Sequence, residues 1–184
     1  MTRASAEDEL RDFARLQVRA GLLSAESQLA EVRDATVAEL GLPRTEAEVV
    51  ARAWLLAARR DLVAEQGRWE EPTGQARLDA ALAECRDHDV AVLIGIDDHW
   101  AARARLDQGP ATLRGVLWCI PMDVWHAIDE PMLELNLWHP TGANVAEGDH
   151  LLTAILSCLH RHGLVARFDE GRIEVALRWQ RSLP

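Results

Sequence analysis

Lysine and tyrosine are absent from this 184-residue chain, and cysteine occurs only three times. A phosphate loop uses a lysine to reach the outer phosphates, so that motif is excluded, and no Gly-x-Gly-x-x-Gly fingerprint takes its place. Cys85, Cys119 and Cys158 are odd in number, far apart in sequence and set among apolar or helical residues. That spacing suggests neither a disulfide framework nor a thiolate zinc cluster, and the three are expected to be buried thiols. No run approaches the roughly 20 consecutive apolar residues of a membrane-spanning helix. The N-terminus turns acidic at Glu7-Asp8, where a signal peptide would turn apolar, so a cytoplasmic, membrane-free protein is expected. A Gly-x-Ser-x-Gly elbow is missing too, and Ser157 and Cys158 fall inside an apolar helical pattern, which argues against covalent hydrolase chemistry.

The charge that is present is acidic: 20 basic residues, all arginine, stand against 30 acidic ones for a net charge of -10, shared evenly by the two halves. Binding to a phosphate backbone relies on clustered basic side chains, so nucleic acid is not an expected partner, whereas a basic protein is. Exclusive use of arginine beside abundant alanine and leucine reads as the codon bias of a GC-rich bacterial genome. Seven tryptophans against two phenylalanines are unusual, and each indole brings a large apolar area with an N–H that wants a partner.

Helical patterning dominates the first half. Ser5 and Asp8 resemble a capping box ahead of Leu10, Phe13 and Ala14, in a helix that runs to about Gly21. Ser24 caps a second helix ended by Gly41-Leu42-Pro43, and Thr45 opens a longer third with Val50, Trp54, Ala58 and Leu62 four apart, ending near Gly67. Glu70 to Gly74 reads as a linker, dividing a helical region, 1–71, from an α+β domain, 75–184, which can equally pack together as one domain. A fourth helix carries Leu78, Ala81, Leu82 and Cys85.

Sheet patterning follows. Val90 to Ile96 is continuously apolar, as in a central strand buried on both faces, and Val116 to Ile120 reads the same way. Short helices are expected over Asp97 to Leu106 and over Pro121 to Ile128. Leu133, Leu135 and Leu137 alternate with polar positions and Trp138, a helix spans about Ala146 to His162, and Leu164 to Trp179 forms a β-hairpin around Asp169-Glu170-Gly171. The fold class expected is therefore α+β: N-terminal helices, then a five-stranded mixed sheet with helices and a C-terminal hairpin.

Two clusters carry potential chemistry. Asp97-Asp98-His99-Trp100 follows the first strand, and Asp123 with His126 follows the second. If those strands are parallel, both clusters lie at one edge of the sheet, where Asp98, His99, Asp123 and His126 suit a metal favouring N and O donors. The competing reading makes the aspartates helix caps and leaves the imidazoles solvated. Trp100, with Trp138 on the polar side of its strand, is a candidate contact surface for the N-terminal helices, a partner protein or a small ligand. His160 and His162 close a helix, where the macrodipole favours a cation, and are assigned a structural role.

The second half resembles a family of uncharacterised, mainly actinobacterial proteins known as a domain of unknown function. The likeness covers about residues 76 to 181 and lies in an apolar strand, Asp123 with Ala127-Ile128, the alternating Leu133 to Leu137, Gly163-Leu164, Arg172-Ile173 and Trp179-Gln180-Arg181. It implies the fold and a bacterial cytosolic setting, but no catalytic residue. Members often carry a Cys-rich segment after the first strand; this chain has Ile96-Asp97-Asp98-His99-Trp100 there. The function expected is a non-enzymatic binding or regulatory protein with a basic protein partner, without a cofactor or a bound metal and with its oligomeric state open. The alternative is a metal-assisted, hydrolase-like enzyme on the Asp/His cluster.

Overall fold

The computed structural model describes residues 3–183, which divide into two compact units, one of residues 3–70 with 181–183, the other of residues 71–180. The first unit is a three-helix bundle of α1 (Arg3–Ala20), α2 (Ala25–Leu40) and α3 (Arg44–Gln66). Ser24 caps α2 by accepting from the Ser27 N–H, and Gly41 ends that helix in the left-handed region that glycine tolerates, at φ 64°. α1 begins before Ser5, so the expected capping box is not its start; Ser5 instead hydrogen-bonds Glu9 along the helix surface. Nor does Thr45 open α3, whose N-cap is Pro43. The buried stripe of α3 is Ala47, Ala51, Leu55, Ala58 and Leu62: Ala58 and Leu62 are buried as expected, but Ala51 and Leu55 take the places expected of Val50 and Trp54, which leaves Trp54 on the flank of the core formed with Ala14, Val18 and Val32. Small alanines at the contact let the helix axes approach closely, and Trp54 covers the seam.

The second unit holds α4 (Gly74–Asp87), β1 (Val90–Ile94), α5 (His99–Asp107), β2 (Gly115–Cys119), α6 (Pro121–Asp129), β3 (Leu133–Trp138), α7 (His150–Arg161), β4 (Val165–Asp169) and β5 (Arg172–Ala176). The sheet order is β1-β2-β3-β5-β4, with β1 parallel to β2 and the other neighbours antiparallel. This is the expected α+β architecture with its mixed five-stranded sheet. The apolar run of β1 does not mark a central strand: it lies at the edge, and β2 is the strand buried along its whole length. β5 also stops short of Trp179, whose N–H leaves the sheet to bond the Ala127 carbonyl on α6.

Alternation along the registered strands sorts the two faces. One carries Leu117, Leu133, Leu135, Leu137, Ile173 and Val175, all buried, under α4 and α7, which pack on each other. Gly115 belongs to this face, and a β-carbon there would lie 2.5 Å from the Trp138 carbonyl oxygen and 2.8 Å from Leu151 of α7. On the other face, α5 covers β1 and β2 through Ala102 against Ala91, Val116 and Trp118. The remainder of that face is polar: Arg172 pairs with Glu134, and Arg167 with Glu174.

Candidate functional site

Parallel pairing of β1 and β2 puts the segments that follow them at the same edge, and the Gly95 and Ile96 N–H groups both bond the Cys119 carbonyl at the end of β2. The side chains then diverge. Asp98 is the N-cap of α5, its Oδ1 accepting from the N–H groups of Trp100 at 2.8 Å and Ala101 at 3.2 Å. Asp123 turns back to accept from the Ile120 N–H at 2.9 Å and lies 3.8 Å from Arg172. Burial pushes its carboxyl above the usual range, opposed by that N–H and by Arg172. His126 is exposed one turn further along α6. Among the described residues, Asp98, His99, Asp123 and His126 are not part of any group of three or more ligand atoms lying within 4.8 Å of one another. Both aspartates do the work of helix starts.

The aromatic residues do come together. Trp100 is 66% exposed and its ring lies 4.6 Å from that of His99. His99 in turn meets the edge of Trp138 at 6.4 Å, and Trp138 packs edge to face on Trp118 at 5.0 Å. The four rings run from solvent into the core. Trp138, expected to be exposed, is half-buried because its side of the strand receives α5 and Trp118. Trp118 is 7% exposed and its indole N–H has no hydrogen-bond partner. At the solvent end stand the exposed carboxylates of Asp97 and Asp98. An indole face beside carboxylates attracts a cation on both counts, through the ring quadrupole and through charge.

A family model described as a domain of unknown function, DUF6891, matches residues 3–183. The chain belongs to the DUF6891 family. The match takes in the helical bundle as well as the sheet, so the family likeness read over residues 76 to 181 extends over the whole described chain. No curated protein and no solved structure matches this DUF6891 chain. None of its helices, among the described residues, is long and apolar enough to cross a membrane.

A second constellation of this DUF6891 protein escaped the sequence reading. Glu84 of α4, the C-cap His88 and Cys158 of α7 form one cluster, and Glu84 also bonds His162, the C-cap of α7. Cys85 and Cys158, far apart in sequence, are close enough in the fold for each thiol to influence the other. The signal lay in two pairs at i and i+4, Glu84 with His88 and Cys158 with His162, which share a helix face. All three cysteines are buried as expected, and burial pushes the Cys85 and Cys119 thiols up to about 12.

A groove of about 380 Å³ in the helical bundle is lined by Asp8, Arg11, Asp12, Arg15, Trp54 and Asp61 among others. Four of its charges pair with one another, Arg11 with Asp8 and Arg15 with Asp12.

Proposed function

We propose that this protein is a non-enzymatic binding protein of the bacterial cytoplasm that receives a basic protein segment on the ledge formed by His99, Trp100 and Trp138. The observation that carries the reading is Trp100, 66% exposed at the head of a ring chain anchored on buried Trp118. An exposed indole at the first turn of a helix is held in place by the packing beneath it, so little ordering is left for binding to achieve. The carboxylates of Asp97 and Asp98 and the net charge of -10 favour an arginine- or lysine-bearing partner.

Titration with an arginine-rich peptide, followed by tryptophan fluorescence and calorimetry, tests the reading. Removal of an aromatic hot spot costs about 2 kcal/mol or more, so Trp100→Ala is expected to weaken binding about 30-fold, while Val165→Ala at the far rim of the sheet leaves it unchanged. Equal affinity of wild type and Trp100→Ala, or equal binding of an acidic peptide, would sink the proposal.

A further inference from the structure

Two helices end at one point on the α4–α7 face of the sheet unit. α4 finishes at Asp87 with His88 as its C-cap, and α7 finishes at Arg161 with His162 as its C-cap. The last turn of each carries one more donor, Glu84 on α4 and Cys158 on α7. One ligand atom each of Glu84, His88 and Cys158 can be taken with all of them within 4.8 Å of one another. His162 Nε2 is 2.9 Å from Glu84 Oε2, and His88 Nε2 is 3.7 Å from Glu84 Oε1. Donor atoms around a tetrahedral zinc ion stand about 3.3–3.7 Å apart, as bond lengths of ~2.0–2.3 Å dictate. The observed spacings straddle that range.

The place favours a cation before any metal is considered. The C-terminal carbonyls of both helices contribute partial negative charge there, and Glu84 adds a full one. A cation already occupies it: the Arg161 guanidinium bonds Glu84 and stands 3.2 Å from Cys158 Sγ. The Arg161 side chain is 53% exposed, so it can swing into solvent without opening the core.

We propose that Glu84, His88 and Cys158 form a binding site for a divalent transition metal, zinc by its mixture of sulfur, nitrogen and carboxylate donors, that His162, already against Glu84, joins them as the fourth donor by turning its ring, and that Arg161 is the ion that the metal displaces. Binding converts the Cys158 thiol to a zinc-bound thiolate and releases its proton to solvent. The Cys85 thiol, a neighbour of Cys158, remains close to the coordinated sulfur. This site is separate from the Trp100 ledge and stands or falls independently of it.

The test uses the full chain under reducing conditions, titrated with zinc chloride by calorimetry and with cobalt(II) by absorption. One zinc per chain is expected, with a thiolate-to-cobalt charge-transfer band that is absent from Cys158→Ala and present in Cys119→Ala. His88→Ala, at an exposed position, weakens zinc by about tenfold or more, since even outer partners of a metal ligand are worth that factor. Should Cys158→Ala disturb the packing, His88→Ala and His162→Ala carry the same test. Arg161→Ala makes the discriminating variant, because it removes the competing cation and tightens binding several-fold, which a merely structural cluster would not do. Absence of zinc binding, unchanged affinity in His88→Ala and Cys158→Ala, or loss of zinc on His126→Ala instead would overturn the proposal.

Discussion

Asp98 separates two readings of the same carboxylate, and its substitution has a predictable size. The structure makes it the N-cap of α5, serving two N–H groups that no residue of the nine-residue helix can reach. Replacing such a cap by alanine costs about 0.5–2 kcal/mol, and asparagine caps nearly as well as aspartate. In a chain of this length, ~1 kcal/mol moves the melting temperature by about 2–4 °C. Asp98→Ala is therefore expected to melt about 2–4 °C below wild type and to speed hydrogen exchange at the Trp100 and Ala101 amides. Asp98→Asn keeps both amide bonds and loses only the attraction of a negative charge for the helix start, so it should fall less far than the alanine variant, which loses both. Differential scanning calorimetry with amide exchange measures both quantities. Two outcomes would refute the capping argument: an Asp98→Ala variant indistinguishable from wild type, or an Asp98→Asn variant as destabilised as the alanine one.

Three further outcomes follow from packing and charge. Gly115→Ala drives a β-carbon to 2.5 Å from the Trp138 carbonyl, which belongs to a paired strand and cannot step aside, so a loss of about 1–3 kcal/mol or more is expected by denaturant titration, and a neutral result would contradict the pairing register of β2 with β3. Arg161, and after it His162, hold the Glu84 carboxyl down at about 2, well below its ordinary value of 4.5. A depressed carboxylate contributes stability that is complete above its unfolded value and fades as the pH falls through the folded one, so the wild type should lose stability between about pH 4.5 and 2, and Glu84→Gln should flatten that limb of the pH profile. Burial keeps Cys85 and Cys119 as thiols, so a disulfide reagent such as Ellman's should label neither of them in the native protein and both in denaturant, and rapid native labelling would contradict their placement in the core.

Local signals predicted local structure well. Ser24 and Gly41 bound α2 because a side-chain acceptor and a residue tolerant of positive φ are requirements of single positions. The leucine alternation of β3 and the turn between β4 and β5 likewise depend on near neighbours. What failed needed knowledge of distant partners. The run Val90 to Ile94 is apolar whether it lies inside a sheet or at its edge under α4 and α5, so hydropathy alone placed it in the middle. Trp138 sits on the polar side of its strand in period, yet α5 brings a core to that side. The Asp/His clusters were legible as residues after parallel strands, and their shared edge is real. Their convergence was not, because Asp98 and Asp123 each answer to the amides of their own helix. The Glu84–Cys158 cluster shows in the sequence only as two separate i, i+4 pairs, since its halves lie on helices joined only through the fold.

The sheet order β1-β2-β3-β5-β4 has a consequence for how the molecule is made. Each of the first three strands can join the one before it as synthesis proceeds, but β4 has no neighbour except β5, which is translated after it. A nascent chain that has emerged only through Asp169 therefore holds β3 with a bare flank and α7 over an unfinished layer. Arg172 to Ala176 links the two strands, Ile173 lying opposite Leu135 of β3 and Val175 opposite Ala166 of β4. Growth from the ribosome is sequential, yet β4 reaches the sheet only through the strand made after it, and the last-made of the five strands is an inner one.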